Sequence, residues 1–427
     1  MTKKINLILS EVLKKVKPPK KDLQIIETSL KEFLEKLGKK LKTLKINAEI
    51  FVGGSFAKNT IIKKDYYDVD IFVRFDKKYK KISKLTEKIL KEIKINNVLV
   101  VHGSRDYFRI TISPDFFIEL IPVKKIKTPK QAENTTDLSY SHVKYIKQKL
   151  KTKEILDEVR FAKAFCYANH CYGAESYING FSGYGLELLI YYYGNFLKFI
   201  KTASKMKDKV IIDLQKHHKN KQAIMMDLNN SKLQSPIILI DPTYKERNVL
   251  AALSEETFEK FKKDCKRFLK NPNIKAFEIK KTDLKKIKQN AKKKKYEFIL
   301  IETKTNKQTG DIAGSKLLKF YKHLNFEVEK FFQIKNKGFN YNQEKSARYF
   351  FVVKNKKEIL INGPSVKDLQ NVKKFKKKHK TTFIKSKRIY AKEKIRFNIE
   401  EFIKLWKKQN KQKIKEMYIT ELKVVKD

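Results

Sequence analysis

Apolar positions along the chain recur first at helical and then at strand spacing. Residues 3–16 carry a helical pattern that Pro18-Pro19 stops. A second helix is predicted over 22–41, with Ile25, Ile26, Leu30, Leu34 and Leu37 on one face. The period then drops to two. Ala48, Ile50 and Val52 alternate with their neighbours and lead into Gly53-Gly54-Ser55. Further strands are predicted at 68–75, 98–101, 107–113 and 116–123. The turn sequence Ser113-Pro114-Asp115 joins the last two as a hairpin.

This α/β stretch ends near Thr136, and a helical pattern follows over 141–199, interrupted by an aromatic- and glycine-rich segment at 172–185. Asp241-Pro242 breaks the chain, and a helix over 254–269 begins with Ser254 as its N-cap. Asn271-Pro272-Asn273 marks a boundary. Beyond it, a strand at 296–302, a helix at 312–324 and strands at 328–335 and 347–354 predict a small antiparallel sheet with a helix on one face. The remainder is mixed and basic, with a helix around 399–411. At about 150 residues per domain, 427 residues make roughly three domains. The expected class is α+β and multidomain: a mixed-sheet N-terminal domain over 1–140, a helical central domain over 141–272, and an α+β region with a small antiparallel sheet over 273–427.

Charge sharpens this picture. Lys+Arg total 99 against 47 Asp+Glu, a net +52, while 41% hydrophobic residues exclude a disordered chain. Such a charge favours a polyanionic partner, nucleic acid before a membrane surface. Most of the basic residues are Lys, so each of the few Arg marks a position where a planar fork of donors is useful. Cys166, Cys171 and Cys265 form no CxxC pair, so neither a disulfide framework nor a zinc site is expected. The N-terminal apolar run is too short for a secretory signal and no stretch is long enough to span a membrane, which makes the cytoplasm the expected location.

The chemistry centres on Gly53-Gly54-Ser55 followed, thirteen residues after the serine, by Asp68-Val69-Asp70. Strand side chains alternate, so Asp68 and Asp70 share one face while Val69, Ile71, Val73 and Phe75 enter a core. Glu119 lies in an apolar strand, where a carboxylate is costly unless compensated. Two unit charges about 4 Å apart repel by roughly 4 kcal/mol at an effective dielectric near 20. A divalent cation relieves that repulsion, and carboxylate oxygens suit Mg²⁺, which also binds substrate phosphates. Glycines let backbone N–H groups approach a triphosphate closely, with Ser55 adding a hydroxyl and Lys58 a charge.

An apolar residue, Gly-Gly-Ser, a spacer and two carboxylates alternating with apolar residues resemble the DNA polymerase beta nucleotidyltransferase superfamily. Longer stretches resemble the archaeal-type, class I tRNA CCA-adding enzymes: Gly54-Ser55-Phe56-Ala57-Lys58-Asn59-Thr60, Asp137 with His142, Val159-Arg160-Phe161-Ala162-Lys163 and Tyr172-Gly173-Ala174-Glu175. Gly180-Phe181-Ser182-Gly183-Tyr184, Asp241-Pro242, Arg247-Asn248-Val249, Asn371-Val372-Lys373-Lys374-Phe375 and Val425-Lys426-Asp427 extend the similarity over nearly the whole chain. Two positions depart from that pattern: Glu119 stands where Asp is more usual and Lys58 where Arg is common. The resemblance implies a polymerase-beta-like catalytic head, a helical neck that recognises nucleotide, and a tRNA-binding body and tail. It implies that Asp68, Asp70 and Glu119 hold two Mg²⁺ ions. It further implies that Gly54, Ser55, Lys58, His142, Lys163 and Tyr172 bind ATP or CTP, with Arg247 reading the base. The implied reaction adds CCA to a tRNA held by its acceptor and T arms, without a nucleic-acid template, membrane or protein partner; self-association stays open. A poly(A) polymerase, an oligoadenylate synthetase-like enzyme and a non-catalytic RNA-binding protein on the same fold are the alternatives.

Overall fold

The computed structural model describes residues 2–103, 105–279 and 282–425. Lys426 and Asp427, at the end of the C-terminal motif, lie outside the described residues. The chain divides into two compact units, Met1–Lys280 and Lys281–Asp427.

The first unit begins with helices α1 (Thr2–Val16) and α2 (Lys20–Thr43). On α2 the buried stripe is Ile26, Leu30, Phe33, Leu37 and Leu41. Ile25 lies one residue off that stripe and is 51% exposed, which corrects the predicted face. Next come β1 (Ala48–Val52), the single turn α3 (Gly54–Ala57), β2 (Tyr67–Phe75), α4 (Ile82–Glu92), β3 (Val98–Val101), β4 (Tyr107–Ser113) and β5 (Phe116–Lys124). Their sheet runs in the order β1-β2-β5-β4-β3, with β2 and β5 parallel and the other pairs antiparallel. Val69, Ile71, Val73, Phe75, Ile118 and Leu120 are buried on one face with the apolar stripes of α2 and α4. Burying each such side chain stabilises the fold by about 1.5–3 kcal/mol, and this anchors the strands whose other face carries the acids.

The same unit continues through α5 (Ser139–Lys149), α6 (Lys153–Ala168), α7 (Gly183–Tyr193), α8 (Phe196–Ala203), β6 (Val210–Ile212), α9 (Lys221–Asp227), β7 (Ile237–Asp241), β8 (Tyr244–Asn248) and α10 (Glu255–Lys270). The side chains of Thr152, Ser182 and Ser254 cap α6, α7 and α10, the last as the sequence predicts. Phe165, Phe181, Phe196, Phe199, Phe261 and Phe268 are fully buried in one core that also takes Ile5, Leu9 and Val12 of α1. A short sheet, β6-β7-β8, joins these helices; each strand is only three to five residues long, too short for a clear two-residue period.

The second unit holds α11 (Leu284–Lys293), β9 (Glu297–Thr305), α12 (Asp311–Phe331), β10 (Phe332–Tyr341), β11 (Ser346–Asn355), β12 (Glu358–Ser365), α13 (Leu369–Lys378), β13 (Thr382–Lys385), β14 (Arg388–Lys394), α14 (Ile399–Gln409), α15 (Lys411–Glu416) and β15 (Ile419–Val425). The antiparallel sheet β10-β11-β9-β15 buries Ile299, Ile301, Tyr349 and Phe351 with α12 and α14. The strand predicted at 328–335 begins only at Phe332. Leu317, Phe320, Leu324 and Val328 keep helical spacing into one core, so α12 continues to Phe331. A second sheet, β12-β14-β13, completes this unit. Among the described residues no helix is long and apolar enough to cross a membrane, and all three cysteines are free and buried.

Candidate active site

Gly53 and Gly54 turn the chain from β1 into α3, directly over β2. The Gly53 N–H donates to the Asp70 carbonyl at 2.8 Å. Gly54 has φ +61°, and a Cβ there would fall 1.7 Å from Asp70 Oδ2. Only glycine therefore lets this turn lie against the carboxylate. Ser55 lies within that turn, and its carbonyl accepts from the Thr60 N–H at 2.9 Å.

Asp70 and Glu119 are register partners on parallel strands β2 and β5, with Asp68 two residues before Asp70. The backbone thus brings the three expected acids to one face. Basic side chains engage the outer two. Lys64 Nζ lies 3.1 Å from Asp68 Oδ1, and Arg109, the register partner of Glu119 on β4, donates to Glu119 Oε1 through Nε at 3.0 Å and NH2 at 2.7 Å. Burial, and then the charges of Glu119 and Asp68, push the Asp70 carboxyl up to about 8. Burial also raises Glu119, which Asp68 reinforces and Arg109 opposes. Among the described residues no group of three acidic, histidine or cysteine side chains is arranged to clasp an ion outright. The donor set nevertheless fits a hard divalent cation, since carboxylates on adjacent strands raise one another's proton affinity and a cation relieves that.

Lys58 and Lys163 meet on one carboxylate. Lys58 Nζ lies 2.6 Å from Glu187 Oε2, and Lys163 Nζ lies 2.8 Å from Glu187 Oε1. The Thr60 hydroxyl lies 2.7 Å from Glu187 Oε1 and 2.8 Å from Lys163 Nζ. Burial alone would raise Glu187, yet Lys163 and Lys58 hold it down at about 2. Burial brings Lys163 down to about 8 against the pull of Glu187. Tyr172 stands beside them: a Cβ on Gly183 would lie 3.0 Å from its hydroxyl and 3.8 Å from Lys163 Cε. Arg160 donates to the Asn59 and Ile61 carbonyls and so braces the loop that carries Lys58.

A third cluster forms around Asp241 at the end of β7. His142 Nε2 lies 2.8 Å from Asp241 Oδ2, and Arg247 NH1 donates to the same oxygen at 2.6 Å. The Tyr184 hydroxyl lies 3.2 Å from Asp241 Oδ1, and its ring stacks on His142 at 4.2 Å between centroids. Burial lowers His142, with Asp241 opposing. Burial would raise Asp241, but His142 and Arg247 hold it well below the usual carboxylate range. Lys58 Nζ, 5.9 Å from the Tyr184 ring centroid, links this cluster to the lysine pair. Asp137 stands apart as a clamp, accepting from Arg105 and from the Lys124 and Glu133 N–H groups.

Sequence reasoning named the acids, the glycine turn, both lysines, His142, Tyr172 and Arg247. It did not single out Glu187, Thr60, Lys64 or Arg109. Glu187 had a readable signal, a lone charge among Leu186, Leu188, Leu189 and Ile190, all buried. Arg109 had a weaker one, a scarce Arg on the strand that the predicted hairpin sets beside Glu119, and Lys64 had none, because only the loop path places it on Asp68.

The model of the family described as "Nucleotidyltransferase domain" matches residues 30–136, and that of "tRNA nucleotidyltransferase, second domain" matches 157–278. The chain is 42% identical over 212 residues to the CCA-adding enzyme of Nanoarchaeum equitans, covering 49% of this chain and 52% of that one. It is 29% identical over 406 residues to the CCA-adding enzyme of Methanocaldococcus jannaschii, covering 91% and 87%. To that of Saccharolobus islandicus it is 33% identical over 275 residues, covering 64% and 61%. The match thus spans about half the length of the first relative and most of the second. Among solved structures, a cytoplasmic RNA terminal U-transferase superposes with TM-score 0.50 at 14% identity, covering 65% of this chain and 99% of that one. The Cid1 poly(U) polymerase superposes with TM-score 0.51 at 13% identity, covering 66% and 100%. Such identities show a shared nucleotidyltransferase fold and nothing finer. Enzymes of this fold generally use divalent metals.

Proposed function

We propose that the chain is a member of the archaeal-type family of tRNA CCA-adding enzymes, which its similarity to such enzymes over up to 91% of its length supports, and that it adds two C and one A to the 3′ end of tRNA from CTP and ATP. The observation that carries this reading is the Asp70–Glu119 pairing across β2 and β5, with Gly54 lying against Asp70 where no other residue fits. Asp68, Asp70 and Glu119 hold two Mg²⁺ ions in this reading. Bound there, the ions would lower the pKa of the RNA 3′-hydroxyl and neutralise the departing pyrophosphate.

The chain's own residues do the positioning. Gly54 and Ser55 offer their backbone N–H groups, and Ser55 its hydroxyl, to the triphosphate. Lys58 adds a fixed charge, and Lys163, Tyr172 and His142 line the path from phosphates to sugar. Arg247 gives NH1 to Asp241, which leaves Nε and NH2 to face acceptors on the base. Cytosine and adenine both offer such ring-nitrogen acceptors, which suits one arginine serving both nucleotides. Lys64 engages Asp68 through Oδ1 and Arg109 engages Glu119 through Oε1, so each acid keeps its second oxygen to offer a cation. We read 1–140 as the catalytic head, 141–272 as the neck and 273–427 as the region that holds the acceptor and T arms. The net +52 favours tRNA recognition through phosphates rather than base sequence.

The test offers tRNA lacking its last three nucleotides with each nucleoside triphosphate singly and Mg²⁺. CTP alone should add two residues, and ATP should then add one. Adenylate tails without C incorporation would favour a poly(A)-type enzyme instead, and no incorporation of any nucleotide would favour a binding protein.

A further inference from the structure

Glu187 is a fully buried carboxylate on which Lys58, proposed for the triphosphate, and Lys163 meet. It sits on α7, while Lys58 and Thr60 follow α3 and Lys163 lies on α6. Packing alone does not call for an acid there. Its neighbours Leu186, Leu188, Leu189 and Ile190 are all buried, and a residue of similar volume without charge would avoid the cost of desolvating an ion. We propose that Glu187 is a positioning residue for the nucleotide triphosphate, acting through Lys58. This rests on the reading that Lys58 faces the phosphates.

The donor count supports the assignment. An ammonium group has three N–H donors. Lys163 spends its three on Glu187 Oε1 at 2.8 Å, the Thr60 hydroxyl at 2.8 Å and the Thr60 carbonyl at 3.3 Å. It is thereby a rigid brace for Glu187 Oε1. Lys58 makes a single bond, to Glu187 Oε2 at 2.6 Å, and keeps two donors to direct elsewhere. The glycine turn is tied into the same assembly, because the Ser55 carbonyl accepts from the Thr60 N–H at 2.9 Å. One carboxylate therefore fixes where Lys58 stands relative to the Gly53–Ser55 turn, by joining the segment after α3 to α6 and α7. A lysine held in this way loses little freedom when it meets a phosphate, and that preorganisation appears as affinity.

The experiment measures binding of Mg²⁺·ATP and of adenosine by calorimetry, without tRNA, for the wild-type chain, Glu187→Gln, Glu187→Asp, Lys58→Met and the Glu187→Gln/Lys58→Met double variant. Glu187→Gln should weaken ATP by about tenfold to a hundredfold, the range for one charge-assisted contact, and leave adenosine within about twofold. Glu187→Asp keeps the charge but shortens the arm, so it should keep the fold and still weaken ATP. The double variant should bind ATP no more weakly than Lys58→Met alone, since both changes remove one unit of interaction. Equal losses for ATP and adenosine would mark a merely structural role and overturn the proposal. So would additive losses in the double variant, or wild-type affinity in Glu187→Asp. A wild-type chain that does not bind ATP overturns the proposed function and this inference together, whereas a wild type that binds while the variants do not differ from it overturns this inference alone.

Discussion

Replacing Asp70 with asparagine removes one charge from the most crowded acid of the site and keeps its shape. Asp70 and Glu119 are register partners on adjacent strands, which lie about 4.8 Å apart. Two full charges at that separation repel by about 3 kcal/mol at an effective dielectric near 20. Arg109 on Glu119 takes back part of this, leaving about 1–2 kcal/mol. Burial of the ionised Asp70 adds to this, so the metal-free Asp70→Asn chain should melt at least about 2–4 °C above the wild type near pH 8, while losing incorporation. The sign with pH follows from the raised proton affinity. The unfolded chain releases the Asp70 proton near the ordinary 3.8 and the folded chain near 8. Between those values the folded state binds more protons, so the contribution of Asp70 to stability falls as pH rises through that window. Calorimetric melts from about pH 5 to 8.5, in chelator and then in Mg²⁺, read both effects. The variant should lose the part of the pH dependence that belongs to Asp70, and Mg²⁺ should raise the wild-type melt more than that of the variant. A metal-free variant that melts below the wild type at pH 8, with a parallel pH profile, would mean that Asp70 carries no strained charge in the folded chain.

Gly54→Ala puts a Cβ 1.7 Å from Asp70 Oδ2 at φ +61°, so it should displace the carboxylate and cut incorporation by about a hundredfold or more, at about 1–2 kcal/mol in stability. Wild-type turnover in a steady-state assay would contradict the close approach of turn and acid. Asp241→Asn weakens the hold on both His142 and Arg247, and should raise KM for CTP and ATP by about tenfold with a smaller change in kcat. An unchanged KM for both nucleotides would remove Arg247 from the base pocket. Affinity for tRNA should fall by about a hundredfold or more between roughly 50 and 200 mM salt, read by fluorescence anisotropy, and a flat dependence would exclude phosphate-led binding.

The fold was most legible where one periodicity ran uninterrupted. Val69, Ile71, Val73 and Phe75 alternate over nine residues of β2 and are all buried, so that strand and the face of its acids follow from the sequence. The β4–β5 hairpin followed from Ser113-Pro114-Asp115. The first strand beyond α12 was placed too early, because Leu324 and Val328 serve equally as the end of a helical stripe and the start of an apolar strand. The second sheet of the C-terminal unit was hidden because its apolar runs are short: β12 offers only Ile359, Leu360 and Ile361 before Asn362-Gly363-Pro364, and Lys392, Glu393 and Lys394 end β14. In the site, local spacing revealed the residues that a turn or strand places by itself. The partners from distant elements stayed unread. Glu187 lies 129 residues from Lys58, Asp241 lies 99 from His142, and only tertiary packing brings them within hydrogen-bond reach.

Whether the three acids on β2 and β5 build CCA is read from the 3′ ends of tRNA that terminates at its discriminator nucleotide, sequenced after incubation with CTP, ATP and Mg²⁺. The wild-type chain should leave ends extended by C, C and A and then no further, and Asp70→Asn should leave them unextended. Tails of any other sequence or of unlimited length from the wild-type chain would contradict this, as would CCA ends formed equally well by the variant.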